Sequence, residues 1–277
     1  MKTQVKYFIM KLFAFDVDGT LVSNSAKKLD ENIVLKLNKI LKEGNAIIIA
    51  SGRPYTGIVQ YLNQLDDGLK FCVCANGTLV TDSLGNELWI NPLKLSDYFN
   101  FYEKHKDFLN DKTTAIYCYT THNIGYIKPS LRVKLEKKAN AIPKAINIKK
   151  AHLPLDYPIL KFMIASLPEH SKKYEEKIDE SEYKAYKVMR TDDHFIEFIN
   201  KTTDKSIGVD VVRQKLNIDK NDVYTFGDSG NDVGMLKMFN GVAMGNGTEE
   251  CKKVAKFVTK DIKEGGLIYA LENFCKE

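Results

Sequence analysis

Cysteine is scarce in this chain, five residues in 277, and none is arranged as a zinc site requires. Cys72 and Cys74 alternate along a candidate buried strand and so share a face, while Cys118, Cys251 and Cys275 supply no second pair at ligand spacing. A disulfide framework is not expected either. The segment from Met1 to Met10 carries Lys2 and Lys6 and a short apolar patch cut off by Lys11, too short for a signal peptide or a membrane span. The thiols are therefore expected to be reduced, in a cytoplasmic protein, and Met10 stands as an alternative start. Repeats and low-complexity tracts are missing too. Charge is not one-sided: 41 basic residues face 36 acidic ones, for a net +5. The lysines are scattered over helix surfaces rather than gathered into a stripe, so neither nucleic acid nor a membrane is an expected partner. What remains is an ordinary globular composition, 44% hydrophobic and 28% charged, long enough for a full core and two domains.

The most informative stretch is Leu12-Phe13-Ala14-Phe15-Asp16-Val17-Asp18-Gly19-Thr20. An unbroken apolar run ends in two carboxylates at i and i+2 and then a Gly-Thr turn. That is how a strand covered on both faces reads when it delivers acids to its C-terminal edge, the edge where open α/β sheets bind ligands. A calcium loop would need glycine at its sixth position, and Gly19 would be fourth. A bare turn does not explain two adjacent charges after a core strand, which are costly unless something binds them.

Leu29 to Glu43 has helical spacing with Gly44 as its stop, and Ala46 to Ala50 is a second apolar run, halted at Ser51-Gly52-Arg53-Pro54. A helix over Tyr55 to Leu65 and a third strand, Phe71 to Ala75, lead to Asn76-Gly77. This alternation predicts right-handed parallel crossovers and a doubly wound α/β sheet. The pattern then breaks into a hairpin, Thr78 to Thr81 with Glu87 to Ile90, and a mixture of strands (Thr114 to Thr120, Leu160 to Ser166, Lys184 to Met189, Phe195 to Ile199) and helices that reads as an α+β insert. Alternation resumes with a helix from Asp204 to Leu216, a strand from Val223 to Phe226, and Gly227-Asp228-Ser229-Gly230-Asn231-Asp232. The expected division is a sheet domain from 1–82 and 199–277 around an insert from 83–198.

Asp16/Asp18, Ser51-Gly52-Arg53, Lys205 and Asp228 to Asp232 could thus share one sheet edge. Several aspartates converging there would repel by roughly 4 kcal/mol per pair at 4 Å with an effective dielectric near 20. A cation is needed to assemble them, and oxygen-only ligands indicate Mg²⁺.

These four clusters, in this order, resemble the signature motifs of the haloacid dehalogenase superfamily. Asn76-Gly77, the large insert and Val242-Ala243-Met244-Gly245-Asn246 resemble its Cof-type sugar-phosphatase branch. The resemblance implies a Mg²⁺-dependent hydrolase of small phosphate esters, sugar phosphates first, with the insert as a cap. Asp16 would be the nucleophile that becomes an aspartyl phosphate, and Asp18 the acid and then the base. Mg²⁺ would be held by Asp16, the Asp18 backbone carbonyl and Asp228, with Asp232 and Asn231 orienting its waters and Lys205. Ser51, the Gly52 amide and Lys205 would grip the phosphoryl oxygens, while Arg53 and Asn76 would meet the substrate. Cap residues such as His122, Arg132 or Lys161 are open as specificity groups. Two departures stand out, Ser206 where the branch has glycine and Gly247 where it has alanine, and Gly245-x-Gly247 is read as packing. A sugar phosphomutase or phosphotransferase using the same step, and a non-catalytic sensor of phosphorylated metabolites, are the alternatives; a monomer is expected.

Overall fold

The computed structural model describes residues 9–23, 26–178 and 180–275, so the reading of Met1 to Met10 falls, up to residue 8, outside the described residues. The chain forms two compact units. One takes the chain up to Ala50, Tyr61–Phe71 and Val209 onward; the other takes Ser51–Gln60 and Cys72–Gly208. The division follows packing, so Ser51–Gln60, Cys72 to Asp82 and residues 199–208 go with residues 83–198, where the expected bounds put them with the sheet. Among the described residues no helix is long and apolar enough to cross a membrane.

The first unit is organised by parallel strands in the order Phe257–Val258, Asn240–Ala243, Val223–Gly227, Leu12–Phe15, Ala46–Ala50. Leu12–Phe15 sits between two neighbours, Phe15 opposite Phe226 on one side and Ile49 on the other. Every residue of Leu12–Phe15 and Ala46–Ala50 is buried. This explains why both read as unbroken apolar runs. Helix Glu31–Lys42 covers them with Ile33, Leu37, Ile40 and Leu41, each contributing about 1.5–3 kcal/mol by burial. Asp30 caps its start by accepting from the Asn32 amide at 2.8 Å, and Gly44, at φ +77°, ends it in the left-handed region that only glycine enters freely.

From Leu12–Phe15 the chain steps to Ala46–Ala50 on one side; from Val223–Gly227 it steps outward on the other. Right-handed crossovers in opposite directions place their helices on opposite faces, which makes the sheet doubly wound. The order therefore switches between Leu12–Phe15 and Val223–Gly227, the position where such sheets bind ligands.

The second unit carries a six-stranded sheet in the order Tyr186–Asp192, Phe195–Asn200, Lys161–Ala165, Ala115–Tyr119, Asn123–Tyr126, Lys144–Asn147. All its pairs are antiparallel except the last. Because strand side chains alternate, one face gives Ile116, Cys118, Phe162, Ile164, Ile196 and Phe198 to a core shared with Tyr98, Phe101 and Phe108. Tyr117, Tyr119, Lys161 and Glu197 belong to the other face, and all four are buried.

Asn123–Tyr126 and Lys144–Asn147 were not expected as strands. Gly125 interrupts the first, and the reason lies elsewhere in the chain: a Cβ there would stand 2.4 Å from Ile148 Cδ1 and 2.8 Å from Cys118 Sγ. With the helix Leu131–Ala139 between them, these two strands form a parallel crossover of their own.

Candidate active site

Asp16 extends the sheet by one bond, its amide donating to the Phe226 carbonyl at 2.9 Å, and so emerges at the C-terminal edge with only 5% exposure. The chain then coils tightly: the Leu21 and Val22 amides donate to the Val17 carbonyl and the Gly19 amide to the Val22 carbonyl, at 2.8–3.0 Å. Gly19 has φ +89°, and a Cβ on it would lie 2.2 Å from Asp228 Oδ2. Glycine is required twice over, by conformation and by the nearness of that carboxylate. Thr20 Oγ1 donates to Asp228 Oδ1 at 3.3 Å. Asp18 is exposed.

Asp228 follows the neighbouring strand. Its loop is built by Asp232, which is fully buried and whose Oδ2 accepts from the Asp228 and Ser229 amides at 3.0 Å. Ser229 Oγ donates to Asn231 Oδ1 at 2.7 Å. One carboxylate oxygen from each of Asp16, Asp228 and Asp232 lies within 4.8 Å of the others. At that separation, with an effective dielectric near 20, each ionised pair opposes the fold by roughly 3 kcal/mol. A divalent cation would offset this, and an all-oxygen donor set suits Mg²⁺. The residues present fit the ion the sequence implies.

A residue outside the predicted set braces this cluster. Asn246 Nδ2 donates to the Gly19 carbonyl at 2.9 Å while its Oδ1 accepts from the Ile262 amide at 2.9 Å. The Thr248 amide donates to the Asp228 carbonyl at 2.8 Å, and a Cβ on Gly247 would stand 3.2 Å from Asp228 Cα. Residues 246–248 thus hold both acid-bearing turns. The signal for it was position, a polar residue just past a strand end on the ligand-binding edge.

The second unit gathers the other predicted residues. Ser51, the first residue after Ala46–Ala50, is buried; its amide donates to the Val73 carbonyl at 2.9 Å and its carbonyl accepts from the Asn76 amide at 3.0 Å. The Arg53 amide donates to Ser51 Oγ at 3.3 Å. Ala75 and Asn76 have φ of +48° and +58°, a conformation that costs alanine more than asparagine. Such outliers persist only where the surroundings enforce them, and Asn76 is anchored by donating to Glu197 Oε2 at 3.3 Å. Gly77, φ +99°, leaves no room for a side chain, since a Cβ would be 2.2 Å from the Asp204 carbonyl. Asp204 Oδ1 accepts from the Ser206 amide at 2.9 Å at the start of helix Lys205–Lys215, and Lys205 is fully buried.

Lys161, open as a specificity group from sequence, is 3% exposed and donates to the Gly52 carbonyl at 2.9 Å and to Glu197 Oε1 at 2.7 Å. Its neighbour Glu197 escaped notice, although a glutamate inside Phe195-Ile196-Glu197-Phe198-Ile199 was the available signal. His122 is exposed, and Arg132 spends its guanidinium on the Thr113 carbonyl.

Comparison with known proteins agrees with this geometry. The family model described as haloacid dehalogenase-like hydrolase matches residues 13–271. Over 291 aligned residues the chain is 25% identical to the Bacillus subtilis 5-amino-6-(5-phospho-D-ribitylamino)uracil phosphatase YitU, covering 95% of this chain and 97% of that one. A haloacid dehalogenase-like hydrolase from Bacteroides thetaiotaomicron superposes with a TM-score of 0.81 at 25% identity, covering 96% and 99% of the two chains. The subclass IIB sugar phosphatase BT4131 shares the fold, with a TM-score of 0.75 at 23% identity over 96% and 99%.

Proposed function

Since the chain belongs to the haloacid dehalogenase-like hydrolases and is a phosphatase of their Cof type, we propose that it hydrolyses small phosphorylated metabolites, sugar or sugar-alcohol phosphates first, in a Mg²⁺-dependent reaction through an aspartyl phosphate. The observation that carries this reading is the approach of Asp16, Asp228 and Asp232 to within 4.8 Å at the switch point of the sheet. A phosphorylated ribityl group in the name of one relative supports the substrate class.

In this reading an oxygen of Asp16 bonds to phosphorus as the bond to the ester oxygen breaks, and Asp18 gives that oxygen its proton. Water then attacks the same phosphorus, Asp18 takes the water's proton, and the bond to Asp16 breaks to release inorganic phosphate. The exposure of Asp18 suits a group that must exchange protons with solvent, while the burial of Asp16 suits a nucleophile kept from it. Ser51, the Gly52 amide and Lys205 hold the oxygens of the transferring group, Arg53 and Asn76 meet the rest of the ester, and residues 83–198 act as the cap. Mg²⁺, held by Asp16, the Asp18 carbonyl and Asp228, would supply the positive charge that lets a carboxylate approach a phosphate dianion. Asp232 fixes the loop that carries Asp228.

The test is phosphate release from a panel of phosphate esters after chelation and with Mg²⁺ restored, alongside Asp16→Asn. Turnover that chelation leaves intact, or that survives Asp16→Asn, sinks the mechanism.

A further inference from the structure

The helix Leu131–Ala139 contributes a carboxylate that the reaction above does not use. Glu136 Oε1 accepts from the Tyr119 hydroxyl and from Asn140 Nδ2 at 2.8 Å; among the described residues no hydrogen bond reaches its Oε2. Both donors are fixed. Tyr119 is 2% exposed, with the Lys161 ammonium 4.9 Å from its ring centroid. Asn140 is buried, and its carbonyl accepts from Thr56 Oγ1 at 2.8 Å. A Cβ on Gly57 would stand 2.8 Å from Asn140 Oδ1 and 3.2 Å from Arg53 Cβ. The end of this helix is therefore seated on residues 53–57, directly after the Ser51-Gly52 turn. Burial pushes the Glu136 carboxyl above its ordinary range, with Tyr119, Lys161 and Arg53 opposing and Glu197 adding to the rise.

A carboxylate with one oxygen held by two protein donors and the other left over is an oriented acceptor that costs little further ordering when a ligand arrives. The ligand chemistry that matches it is the hydroxyl group, and a polyol phosphate carries hydroxyls a few bonds from its phosphoryl group. We propose that Glu136 selects the alcohol part of the substrate by accepting hydrogen bonds from the hydroxyls of a sugar or sugar-alcohol phosphate. This rests on the sugar-phosphate reading above. The competing role, a tie between Tyr119 and Asn140, makes a different prediction, because glutamine keeps an acceptor for both donors and the same size.

The experiment compares kcat/KM for glucose 6-phosphate with that for para-nitrophenyl phosphate, which has no hydroxyls, in the native chain, Glu136→Gln and Glu136→Ala. The expected result is a native preference for the sugar ester and a fall in the ratio of roughly 10- to 100-fold in Glu136→Gln, carried mainly by KM, as loss of a charged acceptor implies. Glu136→Ala should fall at least as far. A native preference that both variants keep, or equal losses on both esters, overturns the role of Glu136 alone. A native chain that does not prefer the sugar ester overturns the substrate reading and this inference together.

Discussion

Replacing Lys161 by methionine should be among the most damaging single changes in the second unit. Its ammonium lies 2.7 Å from Glu197 Oε1, and the two side chains are 3% and 7% exposed. In the native chain their mutual attraction offsets the cost of taking both charges out of water. Methionine fills the lysine's volume but leaves the Glu197 carboxylate buried in the strand between Ile196 and Phe198, with the Asn76 side-chain amide 3.3 Å away as a donor but no opposing charge in the place of Lys161. Removing one partner of a buried pair costs about 3–5 kcal/mol, and the Gly52 carbonyl loses the donor it had at 2.9 Å. Replacing both charges by apolar residues of similar volume is often neutral, so adding Glu197→Leu to Lys161→Met should recover about half or more of the loss. Urea unfolding followed by the fluorescence of Trp89, the sole tryptophan and part of this unit, measures all four corners of the cycle. A single variant within about 1 kcal/mol of native, or a double variant that costs the sum of the singles, would refute the reasoning.

Three other changes test other parts of the structure. Gly19→Ala should lower kcat by at least tenfold, by roughly the factor of ten per 1.4 kcal/mol that displacing Asp228 would cost, because the new Cβ falls 2.2 Å from Asp228 Oδ2; steady-state kinetics at saturating Mg²⁺ checks it. Asn246→Ala removes the bond to the Gly19 carbonyl and the acceptor of the Ile262 amide; it should lower kcat/KM roughly fivefold, about 1 kcal/mol of barrier, and lower the melting temperature by a few degrees, which steady-state kinetics and calorimetry check. His105 is buried against Phe101 and Phe108 and bonded to Tyr183, and burial, aided by the charge of Lys104, lowers its pKa to about 4. The unfolded chain takes up this proton near pH 6.5 and the folded chain does not. Stability is therefore full above that pH and falls as pH drops toward 4, by about 3 kcal/mol; urea midpoints from pH 7 to 4.5 should show a slope that His105→Gln flattens.

Where the sequence was readable, the signal was local. Leu12–Phe15 and Ala46–Ala50 announce themselves because a strand covered on both faces needs apolar residues at every position, and helix Glu31–Lys42 because its buried residues recur at helical spacing. Asn123–Tyr126 and Lys144–Asn147 are short, and the glycine in the first answers to Ile148 and Cys118, which no window around it contains. Lys161 and Glu197 each look like an intrusion in an apolar run. Only their partnership makes both affordable.

The same distinction runs through the acid cluster. Spacing and strand ends pick out Asp16, Asp18 and Asp228, because a parallel sheet delivers the residue after each strand to one edge. Which oxygen of which carboxylate remains for a ligand is decided by contacts across the whole chain. Asp232 commits Oδ2 to two amides of its own loop, and Asn246 reaches a carbonyl 227 positions away. The topological switch is what makes such long reaches short. It sets the first strand beside the one that carries Asp228, so acids from opposite ends of the sequence meet without a long loop to order. A site of this kind needs correct strand order before any of its side chains can act, and permuting the order would scatter it even if each motif kept its sequence.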